Sequence, residues 1–487
     1  MTTKDEKDEY VDDHSTPAPA EASGAGAAPG PAPAEGPGRP APAGAPAPAP
    51  GGGSVPDRDR ERTLNQDQDQ DQQRMPDQVP GQAPDKGPDR GPDLVPGQAP
   101  ARAGVPGPPV AGGVVALVES PVQLLNVLEW AHVRPPASPP APGARDGGAP
   151  VQAPVPSADP SAAPARPLTV VVLSPSDPTS RGQLRRMAEL ARDEGAVVRW
   201  YEARGGRGGL VRTALALTPL LLRVKHLVIG DPFSRLVQVL LPLCRAKELT
   251  VVDDGTATME FTEILTNGGR LVRWHRKGRR RGPADAAFGL FASAARRRLT
   301  PGRGNRRVEL FSAMPATPPP GMALRTNRFA WTRSRFGPPR TLAGTDLIGT
   351  SLVETGVVDP ERYLAVVKSL AERHGARRYF AHRRESPDKL RRLAAETGLE
   401  MVRPDLPLEL VARRGPIAGS VLSFPSTVVH TLPLALAGTD VHLTVVDIDA
   451  GWLTAAASPR AHTFLTDISH SARTLHGLPP ADEPSRA

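Results

Sequence analysis

Two adjacent carboxylates, Asp253 and Asp254, end the apolar run Leu249-Thr250-Val251-Val252, and Gly255 follows them. Neighbouring acids repel, so such a pair titrates as a unit and one member becomes a better proton acceptor near neutrality. The glycine lets the backbone turn away and leaves a carboxylate facing a cleft. The plain alternative is a β-turn closed by Asx hydrogen bonds. A metal site fits less well, because consecutive side chains on a strand point to opposite faces.

Three more stretches carry chemistry. His382-Arg383-Arg384-Glu385 follows an apolar strand end and precedes a helix. An imidazole beside two guanidiniums there suits a phosphate, and His382 could stabilise or protonate a departing one. By itself the cluster would be read as a solvated charge group. Ser423-Phe424-Pro425-Ser426-Thr427 closes a strand and opens a helix, with Ser426 as N-cap; its hydroxyls and free N–H groups also suit a phosphate or carboxylate. Ser120-Pro121-Val122-Gln123 is a helix start, with Ser120 as cap, Pro121 at the first position and Gln123 completing a capping box. Gln123 and Asn126 would face the cleft and hydrogen-bond sugar hydroxyls.

The elements that must position these residues alternate regularly. Strand-like runs at 114–120, 168–174, 197–203, 226–231 and 249–254 are separated by helical stretches, the last of them 233–249. The rhythm resumes with strands at 346–354, 377–382, 399–404, 418–426 and 441–448. Nearly continuous apolar strands between helices predict parallel sheets covered on both faces. All four motifs fall at carboxyl ends of strands, where open parallel sheets bind ligands. The expected division is a tail (1–112), a first Rossmann-like domain (113–261) with a Pro/Ala-rich insert (134–166), a basic connection (262–340), a second Rossmann-like domain (341–470) and a flexible C-terminus (471–487).

Composition sets the class. The chain has 487 residues, 58 of them Pro and 47 Gly. Residues 1–112 are Pro/Ala/Gly-rich and too poor in apolar clusters to offset chain entropy, so a disordered tail is expected. The first 100 residues carry nine Lys/Arg against eighteen Asp/Glu, which leaves +17 on the other 387 of a chain whose net charge is +8. A basic body favours a polyanionic partner. Thirteen Lys/Arg between 270 and 307 could meet an anionic membrane or an acidic glycan; nucleic acid ranks last, for want of interleaved aromatics. The single cysteine, Cys244, excludes a disulfide within the chain and a cysteine zinc cluster. No apolar signal core or membrane-length run is present, so a cytoplasmic protein, peripheral at most at the inner membrane face, is expected.

Taken in order, SPVQLLN, LVIGD, DDGTAT, the histidine motif and FPST resemble the bacterial sialyltransferase and α-2,8-polysialyltransferase families, over about 114–450. The resemblance implies a GT-B-like fold, two Rossmann-like domains facing a central cleft. It implies an inverting glycosyltransferase that uses a CMP-activated acidic sugar and a glycan acceptor, with no cofactor and no required metal. In that family a D/E-D/E-G motif supplies the general base, which maps onto Asp254 with Asp253 as modulator. A histidine motif and a Ser-Ser/Thr motif hold the CMP phosphate, which maps onto His382 and Ser426-Thr427. The family's proline after the histidine is Arg383 here. A second cation there could tighten phosphate binding, or mark a non-catalytic nucleotide- or glycan-binding protein on the same scaffold.

Overall fold

The computed structural model describes residues 113–134, 167–204, 208–253, 255, 257–273, 283–302 and 306–481, all inside one compact unit, Arg102–Ala487. The tail at 1–112, residues 135–166 of the Pro/Ala-rich insert, and Asp254 lie outside the described residues, as do 274–282 and 303–305 of the basic stretch.

The first half runs β1 (Val114–Val118), α1 (Pro121–His132), β2 (Leu168–Leu173), α2 (Pro178–Asp193), β3 (Val197–Tyr201), α3 (Gly209–Arg223), β4 (His226–Ile229), α4 (Arg235–Leu240), β5 (Glu248–Val252), α5 (Ala257–Thr266), α6 (Pro283–Leu299), β6 (Arg307–Ser312) and β7 (Ala323–Thr326). After α7 (Ala330–Arg335) come β8 (Thr341–Ile348), α8 (Pro360–His374), β9 (Ala376–Phe380), α9 (Pro387–Thr397), β10 (Glu400–Val402), α10 (Leu408–Arg414), β11 (Ile417–Ser423), α11 (Val428–Ala435), β12 (His442–Val445) and α12 (Pro459–His476).

Two parallel sheets result, ordered β3-β2-β1-β4-β5-β6-β7 and β10-β9-β8-β11-β12. Each contains the doubly wound order in which the chain starts centrally, builds outward and returns past its first strand. The α/β, GT-B-like expectation of two Rossmann-like units therefore holds. Right-handed crossovers put α1 and α2 on one face of the first sheet and α3 to α6 on the other. The core divides accordingly. Leu217, Leu221, Val237, Leu240, Phe261 and Leu299 pack on one face. Leu124, Leu128, Leu184 and Met187 pack on the other, in a cluster that also takes in Trp331, Leu406, Leu410 and Ala435 from the second half. That shared cluster ties the halves together. Gln183 Nε2 adds a 2.8 Å hydrogen bond to the Pro404 carbonyl, and Arg186 pairs with Asp405.

Several expected boundaries move. The 262–340 stretch is not merely a connection, since it supplies β6 and β7 to the first sheet. The 233–249 helix stops at Leu240, because Pro242 sits in a 3-10 turn at Leu241–Leu243 and the chain then opens into β5. The strand expected at 346–354 runs instead over Thr341–Ile348 and ends before Gly349. The C-terminus from 471 is not free: α12 extends to His476, Ala472 is buried, and Pro480 bridges Val445.

Candidate functional site

Asp253 emerges from β5 as a buried group. Its Oδ1 accepts from Thr258 Oγ1 in the first turn of α5. Its Oδ2 accepts from Ser312 Oγ and from the Ala313 N–H, both at 3.0 Å, at the end of β6. Its carbonyl accepts from Asn126 Nδ2 at 3.0 Å, and Asn126 Oδ1 accepts from Asn327 Nδ2 at 2.9 Å. Burial raises the Asp253 carboxyl to about 6, against the pull of these donors. Asp253 thus ties the ends of β5 and β6, the first turn of α5 and the middle of α1 into one frame. That is a positioning role for the residue expected to modulate its neighbour.

Gly255 continues the turn at φ +68. A side chain here would be strained, and its Cβ would stand 2.5 Å from Thr427 Cγ2. The glycine is therefore required twice, by the turn and by the approach of the second unit. The carboxylate end of β5 and the Ser426-Thr427 turn after β11 meet at this point.

Thr427, rather than the expected Ser426, is the N-cap residue of α11; Ser426 Oγ instead accepts from the Val428 N–H at 3.3 Å. Both are only partly buried. The second sheet reverses its strand order between β8 and β11, so Ser426-Thr427 and the Gly349-Thr350 turn after β8 flank the switch point where such sheets bind ligands. His382 follows β9, on the far side of β8. One intervening strand puts the ends of β9 and β11 about 10 Å apart, a span suited to a phosphate group with its ester oxygens.

The His382 turn is built from below. Glu385, fully buried, accepts from the His382 N–H at 2.6 Å, from Tyr379 Oη at 2.5 Å and from Lys389 Nζ at 2.7 Å. Tyr379 Oη also meets Tyr363 Oη at 2.7 Å, and Lys389 Nζ donates to the Thr350 carbonyl at 3.0 Å and lies over the Tyr363 ring. Gly349 permits this packing, since a Cβ there would stand 2.6 Å from Tyr379 Cζ. The network thereby joins the turns after β8 and β9. Burial pushes the Glu385 carboxyl up, opposed by Lys389. His382 is lowered to about 4, first by burial and then by Arg383, Arg384 and Lys389, so it is neutral at pH 7. Its Nδ1 accepts from the Arg384 N–H at 3.2 Å, which leaves the ring proton on Nε2.

The structure brings Asp253, Gly255, Ser426 and Thr427 together and sets His382 and Arg383 two strands from β11. It does not leave Gln123 and Asn126 open to a sugar. Both amides are buried, and Gln123 Oε1 accepts from the Glu119 N–H at 2.7 Å. The capping box is thus displaced by one residue, with Ser120 Oγ still accepting from the Gln123 N–H at 3.2 Å. The correction has a simple cause: helix starts at strand ends need their own buried backbone satisfied before they can serve a ligand. Sequence reading passed over Gly349-Thr350 and the Glu385–Tyr379–Tyr363–Lys389 network. The glycine after an apolar run was the available signal for the first. Nothing local marks the second, whose members are spread over 27 residues.

No family model matches the chain, and no curated protein matches it in sequence. Solved structures of similar architecture include an α/β-galactoside α-2,3-sialyltransferase from Photobacterium phosphoreum, 8% identical, covering 76% of this chain and 98% of that one at TM-score 0.40. E. coli heptosyltransferase WaaC with ADP-2-deoxy-2-fluoro heptose is 14% identical, covering 74% and 97% at TM-score 0.32. Acinetobacter baumannii MurG is 11% identical, covering 76% and 85% at TM-score 0.31. At such distances the likenesses carry no argument, and the functional reading rests on this chain's own residues.

Proposed function

We propose that the protein is an inverting glycosyltransferase that moves an acidic sugar of the sialic-acid class from a CMP-activated donor to a glycan hydroxyl. The observation that carries the reading is the approach of Gly255 to Thr427, which joins a carboxylate-bearing strand end of one sheet to the switch point of the other. With both Asp253 oxygens held by protein donors, the proton acceptor in this reading is Asp254. Its carboxylate takes the acceptor's O–H proton as that oxygen bonds the anomeric carbon. The bond from that carbon to the phosphate oxygen breaks, and its electron pair stays with CMP. A neutral His382 does not protonate the phosphate but donates from Nε2. Arg383 adds charge, and the Ser426 and Thr427 hydroxyls donate from the opposite side. In this reading the cations meet the leaving charge and no metal is required.

Calorimetric titration with CMP, CDP, UDP and GDP, paired with donor turnover on a panel of glycan acceptors, tests the proposal. CMP should bind best. Asp254→Asn should abolish transfer and keep CMP binding, whereas Asp253→Asn should retain measurable transfer. Loss of CMP binding in Asp254→Asn, or full transfer by it, would remove Asp254 from the chemistry; tight CMP binding with no turnover in the wild type would favour a binding protein.

A further inference from the structure

One surface of the first unit has no part in this chemistry. α3 buries Thr213, Leu217, Leu220 and Leu221 against the sheet. At 3.6 residues per turn, its opposite side is the stripe Val211, Leu215 and Leu222. These are 56%, 68% and 41% exposed. A surface helix ordinarily turns polar side chains outward, so this one is apolar on both sides. Its cations, Arg212 and Arg223, and Lys225 just beyond it, are exposed, and no Asp or Glu occurs between 208 and 225. α6 belongs to the same helical layer, with α4 between them. It turns out Leu290 at 75% and Phe291 at 46% exposure, with Arg296, Arg297 and Arg298 in its last turn.

We propose that this face docks on an anionic lipid surface. Val211, Leu215, Leu222, Leu290 and Phe291 enter the headgroup–acyl boundary, and Arg212, Arg223, Lys225 and Arg297 meet the phosphates. The charge pattern selects this occupant. A second copy of the same face would set cation against cation, so self-pairing is opposed, whereas an anionic bilayer satisfies both the charges and the apolar stripe. α3 lies on the membrane rather than across it: at 1.5 Å per residue its 15 residues reach about 22 Å, short of a ~30 Å hydrocarbon core. No helix among the described residues is long and apolar enough to cross a membrane. The inference is independent of the proposed reaction.

The test is co-sedimentation of the full chain with phosphatidylcholine vesicles, with and without phosphatidylglycerol. The wild type should pellet with the anionic vesicles, and less so as salt rises. Leu215→Glu with Leu290→Glu, both at exposed positions, should lower partitioning by about tenfold or more, with melting temperature and CMP binding unchanged. Arg212→Ser with Arg223→Ser should weaken binding to anionic vesicles and flatten its salt dependence. Wild-type protein that stays in the supernatant overturns the proposal. So does an acidic double variant that pellets like wild type. So does a wild-type dimer, seen by sedimentation velocity, that the double variant converts to monomer.

Discussion

Gly255→Ala probes the point on which the site depends. Two costs can be separated. The first is backbone: alanine at φ +68 costs about 1–2 kcal/mol in the left-handed region. The second is contact: the new Cβ would stand 2.5 Å from Thr427 Cγ2, where carbon atoms rest at about 3.5–4.0 Å. One side must yield by about 1 Å, an overpacking cost of about 1–3 kcal/mol. Gly398 supplies the control, with the same φ of +68 and nothing within 4 Å of its would-be Cβ. Urea unfolding should therefore show Gly255→Ala to be less stable than Gly398→Ala by about 1–3 kcal/mol. Thr427→Ser removes the offending methyl and keeps the hydroxyl. Added to Gly255→Ala, it should recover most of that difference. Catalysis should respond more strongly than stability, since a displacement of about 1 Å costs on the order of a hundredfold; Gly398→Ala should leave turnover unchanged. Equal destabilisation by the two alanines, with no rescue by Thr427→Ser, would mean that the two strand ends do not touch in solution, and the two-sheet site would fall with them.

Acid should act through opposed groups. Asp253 binds its proton more tightly folded (about 6) than unfolded (3.8), so its ionisation removes about 3 kcal/mol as pH rises through that window. His382 and His430, lowered to about 4 from 6.5, do the reverse: their stabilising effect is present above 6.5 and is lost on acidification toward 4. Thermal melts from pH 7 to 4.5 should show Asp253→Asn faring worse on acidification than the wild type, because the gain from protonating Asp253 is absent; an identical slope would mean that Asp253 does not titrate in this range. Glu385→Gln should cost about 1–3 kcal/mol in urea unfolding and weaken CMP binding, because the His382 N–H and Lys389 then compete for one acceptor oxygen. Unchanged stability would show that the buried network does not hold the turn.

The alternation of apolar runs and helices was readable because parallel strands buried on both faces must be apolar throughout, as in β1 and β5. Helix starts were readable where a cap is local, as at Ser120. Boundaries failed where a proline or glycine had two readings: Pro242 ended a helix that its neighbours would have extended, and Gly349 ended a strand. β6 and β7 escaped because they follow a long basic stretch and join an existing sheet edge, a pairing that local pattern does not specify.

By itself, then, the sequence determined two doubly wound units and put the carboxylates, the histidine and the hydroxyls at strand ends, because periodicity and caps act within a few residues. Only the tertiary structure decided which of those groups are spent on the protein's own backbone, as Asp253, Gln123 and Asn126 are, and which turns meet, as Gly255 and Thr427 do. Those outcomes depend on close packing and on satisfying buried backbone groups, for Asp253, Asn126 and Gly255 across segments 60 or more residues apart, and such constraints leave no mark on any single stretch of chain.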